Sequence, residues 1–358
     1  MQPAARTRYD WIDVMKLIAI WLMYMAHYDG MGRYGMVGMY TVLGILFFCS
    51  GFTSFVKRGL APAAFCREKF LRLIVPYFAF GVLALAVRVF LFELTIGDMI
   101  DWMRRLVWGA RNVCPLAALW FLPCLFFMEL YHYLAARFLK NRWLVLAAAC
   151  CVSAAVKFIH EGAALPWGID MAGRFWIYYA IGDVASQLWR QRREAGAKPS
   201  AGLRALGVCT ALVSLYVLYV NFYYGLGYFP SLFGVQEAPF AVLSLITFLY
   251  ECSGVVCALC ASLALQKVPL LCRMGRATLV LCGVEQLIKV LTPLALAAFG
   301  LAMPDSGSVA GGNVMAVQAA AMVCAAYVCF AVPITRYFPW MLGRFSKKQN
   351  DHKEEKAG

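Results

Sequence analysis

Apolar residues run along this chain in long unbroken stretches, without the alternation of a half-buried strand or the single stripe of a soluble helix. Ten stretches fall near residues 12–29, 36–56, 73–95, 116–136, 143–159, 172–189, 203–224, 239–265, 277–299 and 313–335. Each approaches the roughly 20 residues that carry a helix across a bilayer core of about 30 Å. The pattern predicts an all-α fold, a polytopic membrane helical bundle of about ten transmembrane helices. Residues 1–345 read as one membrane-embedded domain and 346–358 as a charged, disordered tail. The first stretch contains Asp13 and Lys16 and is followed by no small-x-small cleavage pattern, so it reads as a retained span and not as a signal peptide. No internal repeat of the kind that marks many secondary transporters is visible.

Composition sharpens this reading. Of 358 residues, 63% are apolar and 15% charged, against roughly 45–50% and about 25% in soluble domains. The formal net charge of +14 sits in short patches between the apolar stretches, not on one arm or face. That distribution argues against a nucleic-acid partner and follows the positive-inside rule. Lys57, Arg58, Arg67, Lys69 and Arg72 form one patch, and Lys267, Arg273 and Arg276 another. With ten spans the basic patches share one side, which is expected to be cytoplasmic and to carry both termini. The 14 cysteines lie mostly inside apolar stretches. Cys257 and Cys260 have ligand spacing but lack two further ligands, so no metal site and no disulfide framework is expected.

Charges inside spans are costly and tend to mark function. The first span holds Asp13, Lys16 and His27. Lys16 and His27 are 11 positions apart, a rotation about 20° from whole turns and a rise of roughly 16 Å. One helix face thus presents a cation at one depth and an imidazole well beyond it. Asp13 is spaced to pair with Lys16, and Glu285 with Lys289. His27 is either a packed, hydrogen-bonded residue or a general base. Glu129, His132, Asp183 and Glu251 also fall in spans and are expected to line the interior or pair there. Trp120 is either a sugar-stacking residue or an interface anchor. The segment from Asp98 to Arg111 reads as an interfacial helix with aromatic anchors or as a cover for a polar acceptor.

A family resemblance follows from these residues. The first span, WIDVMKLIAIWLMYMAH, has a basic residue, ten intervening positions and His27. It resembles the acyltransferase-3 superfamily of bacterial membrane proteins, whose mark is a basic residue, usually Arg, at that spacing before His. The Lys form is similar to the branch of fucose 4-O-acetylase-like proteins. LFFCSGF (46–52), FCREKFLRLIVPY (65–77), LWFLPCLF (119–126), RFWIYYAIGD (174–183) and MGRATLVLCGVEQ (274–286) resemble further family segments in the same order. Two departures stand out. Lys16 lacks the bidentate fork of Arg, and many members have a His near position 285, where this chain has Glu285.

The resemblance implies a multi-pass protein of the bacterial cytoplasmic membrane that moves an acyl group, acetyl by preference, from acyl-CoA to a hydroxyl of a carbohydrate or related envelope acceptor. It casts His27 as catalytic, Lys16, Arg67, Lys69 and Arg72 as donor-binding, and Asp13, Trp120 and Glu285 as supporting. Acetyl-CoA is the expected donor substrate, with no permanently bound cofactor. Direct transfer and a two-step route through an acyl-enzyme both remain open. The rival class is a transporter or flippase of a glycan-linked lipid, which would show no CoA-dependent transfer.

Overall fold

The structure is a computed structural model that describes residues 8–27, 32–54, 60–159, 164–196, 200–232, 239–300 and 309–345. The expected tail, 346–358, lies outside the described residues. The architecture is helical throughout, with no strand among the described residues. In chain order the main helices are α1 (Asp10–Ala26), α2 (Gly32–Thr53), α3 (Pro62–Leu91), α4 (Ile96–Trp108), α5 (Phe121–Leu139) and α6 (Arg142–Ile159). They continue as α7 (Trp176–Glu194), α8 (Ala201–Tyr224), α9 (Phe240–Leu265), α10 (Pro269–Arg276), α11 (Thr278–Ala298) and α12 (Gly312–Tyr337).

Six of these, α2, α3, α8, α9, α11 and α12, are long and apolar enough to cross a membrane. The sequence predicts ten spans. The other four coincide with α1, α5, α6 and α7, which are helical but are not among those six. The outer face of α8 shows why the bundle belongs in lipid. Leu206, Leu212 and Val213 are each about 60% exposed, an apolar surface that water would not tolerate over such a length.

Helix α1 is the centre of the bundle. It packs against α2, α9, α10, α11 and α12, and Met15, Ala19 and Ile20 on it are fully buried. Between helices in lipid, small residues set how closely backbones approach. A side chain at Gly51 of α2 would place its Cβ 2.0 Å from the Tyr179 carbonyl oxygen of α7. Gly182 of α7 meets the Phe48 carbonyl in the same way, at 2.3 Å. The α2–α7 seam therefore depends on glycine from both partners.

Helix α3 contains a π turn at Phe70–Ile74. Pro76 follows it and offers no N–H to the Arg72 carbonyl, and the extra residue of the π turn absorbs that break. The segment after α3 forms an amphipathic helix, α4. Thr95 and Asp98 form a capping box at the start of α4, and the hydrogen bonds from Thr95 hold the Asp98 carboxyl below its ordinary pKa. Trp102 Nε1 donates to the Gly81 carbonyl at 3.3 Å, and the Arg88 guanidinium lies over the Trp102 ring at 5.1 Å.

Gly51→Ala is expected to lower the thermal midpoint of the detergent-solubilised protein, since overpacking a tight seam costs about 1–3 kcal/mol. Gly207→Ala on α8 meets nothing within 4 Å and is expected to be neutral or slightly stabilising. Equal midpoints for the two variants would remove the seam argument.

Candidate active site

Two polar groups are assembled around α1, one at each end. At the end where α1 finishes, His27 is the C-cap residue of the helix. Its imidazole Nδ1 lies 3.3 Å from Glu285 Oε1 on α11. The two residues are 258 positions apart in the sequence. The Glu285 side chain is 2% exposed and that of His27 24%, so the imidazole alone opens outward. The approach is close but not aligned as a hydrogen bond, and Nδ1 is buried without another partner. Gln286 Nε2 donates to the second Glu285 oxygen at 2.7 Å. The carboxylate is thereby held between Gln286 and the imidazole. Catalytic hydrogen bonds commonly tighten only when substrate is present.

The packing beneath this pair fixes its geometry. Tyr24, one turn before His27, donates its hydroxyl to the Leu281 carbonyl of α11 at 3.0 Å. Gly283 on α11 admits the Phe80 ring of α3, which would lie 2.5 Å from a Cβ there. Cys282 Sγ contacts the Ala118 carbonyl at 3.7 Å, which brings the segment carrying Trp120 within one turn of Glu285. Trp120 itself is 7% exposed and its ring leans toward Gly168 and away from open space. It is therefore a packed residue at the entrance of α5, which corresponds to neither of the two readings from the sequence.

The opposite end gathers most of the cations and is called the basic end below. Lys16 lies within the electrostatic reach of Arg72, Arg8, Asp13 and Cys49. Arg67 and Arg72 are exposed on α3. Lys69 Nζ lies 2.7 Å from Glu129 Oε2 on α5, and both side chains are nearly buried. Their separation is that of an ion pair, although the angle does not align them as a hydrogen bond. Asp13 differs from expectation. Its carboxylate takes Arg8 Nε at 2.9 Å and Arg276 Nε at 3.4 Å, so it ties α1 to α10 and is not the dedicated partner of Lys16. The reason is proximity: a side chain at Gly275 of α10 would sit 1.9 Å from the Asp13 carbonyl, so the two backbones touch and deliver Arg276 to Asp13.

A further buried cluster joins the basic end. His132 Nε2 is 3.3 Å from Asp183 Oδ2, and Gln187 Nε2 donates to the same oxygen at 2.7 Å. Trp176 Nε1 donates to His132 Nδ1 at 3.3 Å. An indole can only donate, so the His132 proton sits on Nε2, facing Asp183. The sequence marks Glu129, His132 and Asp183 as interior residues, and the structure agrees, but their pairing joins α5 to α3 and to α7 and has no local signature. Glu251, also expected inside, accepts from the Tyr178 hydroxyl.

The stripe of α1 between the two ends is filled. Ile20, Met23 and Tyr24 are at most 5% exposed. Lys16 and His27 share a face as expected, yet the space between them is occupied by packed side chains. No group of three or more potential metal ligands occurs among the described residues.

Removing one partner of a buried pair leaves the other charge uncompensated, at a cost of about 3–5 kcal/mol. Glu129→Gln is expected to lower thermal stability by that order, and Lys69→Met combined with Glu129→Leu to recover most of it. Additive losses in the double variant would show that the pair carries no coupling.

A family model described as an acyltransferase domain matches residues 9–281. The match takes in α1 with His27 and ends four positions before Glu285. No curated protein and no solved structure matches the chain.

Proposed function

We propose, from the premise that this chain belongs to the acyltransferase-3 superfamily, that it transfers an acetyl group from acetyl-CoA to a hydroxyl of an envelope carbohydrate. That it is a multi-pass membrane acyltransferase follows from the family match and the six long apolar helices. The donor, the acyl group and the acceptor are the proposed part, as is the placement of the basic end in the cytoplasm of a bacterial cell. Lys16, in place of the commoner Arg, supports the fucose 4-O-acetylase-like branch.

The observation that carries the mechanism is the His27–Glu285 approach. A carboxylate facing Nδ1 favours the tautomer with its proton there and leaves Nε2 as the base. Nε2 then takes the proton of the acceptor hydroxyl as its oxygen bonds to the thioester carbonyl carbon. The carbon–sulfur bond breaks, and the proton passes from the imidazole to the departing thiolate. The products are the acyl ester and free CoA thiol. Glu285 stabilises the imidazolium that exists between the two proton transfers.

The donor's phosphates fall to the basic end. Lys69 is already neutralised by Glu129, which leaves Lys16, Arg67 and Arg72 as the donor-binding cations. Lys16 is about 16 Å from His27 along α1, so it acts on the donor's phosphates and not on the reacting carbonyl. Because Ile20, Met23 and Tyr24 fill the stripe between them, the pantetheine arm must run beside α1 or displace these side chains.

His27→Ala is expected to lower transfer by about 10²–10⁴-fold and to abolish the acetyl seen by mass spectrometry on envelope glycans of expressing cells. Retained acetylation by a correctly inserted variant would overturn the assignment. Glu285→Gln is expected to lower kcat with an unchanged KM for acetyl-CoA, whereas Lys16→Ala is expected to raise that KM. The opposite split would exchange their roles.

A further inference from the structure

A cleft of about 660 Å³ opens at the basic end, lined by Asp10 of α1, by Gln266 and Lys267 of the turn after α9, and by Cys272, Arg273 and Arg276 of α10. It lies a full α1 length from His27, about 25 Å. The direct contact of Gly275 with the Asp13 backbone stands between α10 and the interior of the bundle. The mechanism above makes no use of this cleft.

Its charge balance is uneven. Arg276 spans Asp10 at 3.3 Å and Asp13 at 3.4 Å, and Arg8 holds Asp13 from the other side at 2.9 Å. Two cations and two carboxylates cancel there. Lys267 and Arg273 also line the cleft, and neither faces a carboxylate within ion-pair distance among the described residues. The Arg273 side chain is steadied by its Nε donating to the Pro269 carbonyl at 3.4 Å, which leaves the rest of the guanidinium fork for a ligand. A guanidinium fork beside an ammonium in a concave site suits a phosphate. Apolar surface adjoins the charge: Leu263, Leu265, Val268 and Leu270 flank the turn and are between 39% and 53% exposed.

We propose that this cleft binds a phosphate ester, with Lys267 and Arg273 as its ligands and the Arg276–Asp10 pair as its fixed wall. Two sources share that chemistry, an anionic phospholipid headgroup whose chains lie along the exposed leucines and a free nucleotide phosphate. Basic pockets between membrane helices are ready sites for anionic headgroups. The lipid source stands whether or not the acyl-transfer reading holds, because it invokes neither His27 nor the donor.

The test compares the full-length protein with the Lys267→Gln/Arg273→Gln double variant, which leaves the Arg276 pairs intact. In one arm, both proteins in nanodiscs of mixed phosphatidylglycerol and phosphatidylcholine are examined by native mass spectrometry for retained phosphatidylglycerol. In the other, both are titrated with adenosine 3′,5′-bisphosphate in purely phosphatidylcholine nanodiscs. Loss of two cations from an anion site is expected to weaken binding by about 30-fold. A loss confined to the first arm assigns the lipid headgroup, and one confined to the second assigns the nucleotide. Equal binding by the two proteins in both arms, at equal thermal midpoints, overturns the proposal. Acyl transfer measured on the same samples separates a failure here from a failure of the catalytic reading.

Discussion

A polar side chain inside hydrocarbon has no water to fall back on, so it must find its partner within the protein. That constraint organises this bundle. Lys69 meets Glu129 across α3 and α5, and His132 is held between Trp176 and Asp183 across α5 and α7. Lys157 of α6 donates to the Ser244 carbonyl of α9 at 2.9 Å. Each contact joins helices distant in sequence. Helices in lipid gain no hydrophobic drive toward one another, so such contacts and the glycine seams fix which helix lies against which.

Against that background the two ends of α1 differ in kind. At the basic end Asp13 is engaged by two arginines and Lys69 by a carboxylate, so these charges are compensated, while other cations of that end stay open. At the other end His27 approaches Glu285 without an aligned hydrogen bond and stays partly open. An incompletely satisfied, partly open imidazole beside a buried carboxylate is an expensive arrangement if its role is structural. It agrees with the proton-transfer role proposed above for His27.

The helical class and the position of nearly every helix could be read from the sequence, because a run of about 20 apolar residues has few other solutions. The shared face of Lys16 and His27 was equally legible, since it needs only the helical repeat. The number of crossings was less so. Helices α1, α5 and α7 carry charge where a lone span would not, and they tolerate it because neighbours in the bundle supply partners. Partner choice was the least legible feature. Local spacing suggested Asp13 with Lys16, yet close backbone contact at Gly275 gave Asp13 to Arg276, 263 positions away. Spacing rules describe an isolated helix, and α1 is surrounded.

Glu285 shows how much of a site a local pattern leaves out. Four positions before Lys289, it is spaced for an i,i+4 ion pair along its own helix. In the fold it is 2% exposed and faces the histidine at the end of the central helix. It also stands just beyond the matched acyltransferase segment, so its role rests on geometry and not on the family. A histidine at this position would offer His27 either a donor or an acceptor according to its tautomer. In the mechanism proposed above Glu285 acts as an ionised carboxylate, which can only accept, so it would select one tautomer of His27 and leave the other ring nitrogen to take a proton. In the proposed mechanism Glu285 therefore gives the histidine of α1 a fixed direction of proton transfer.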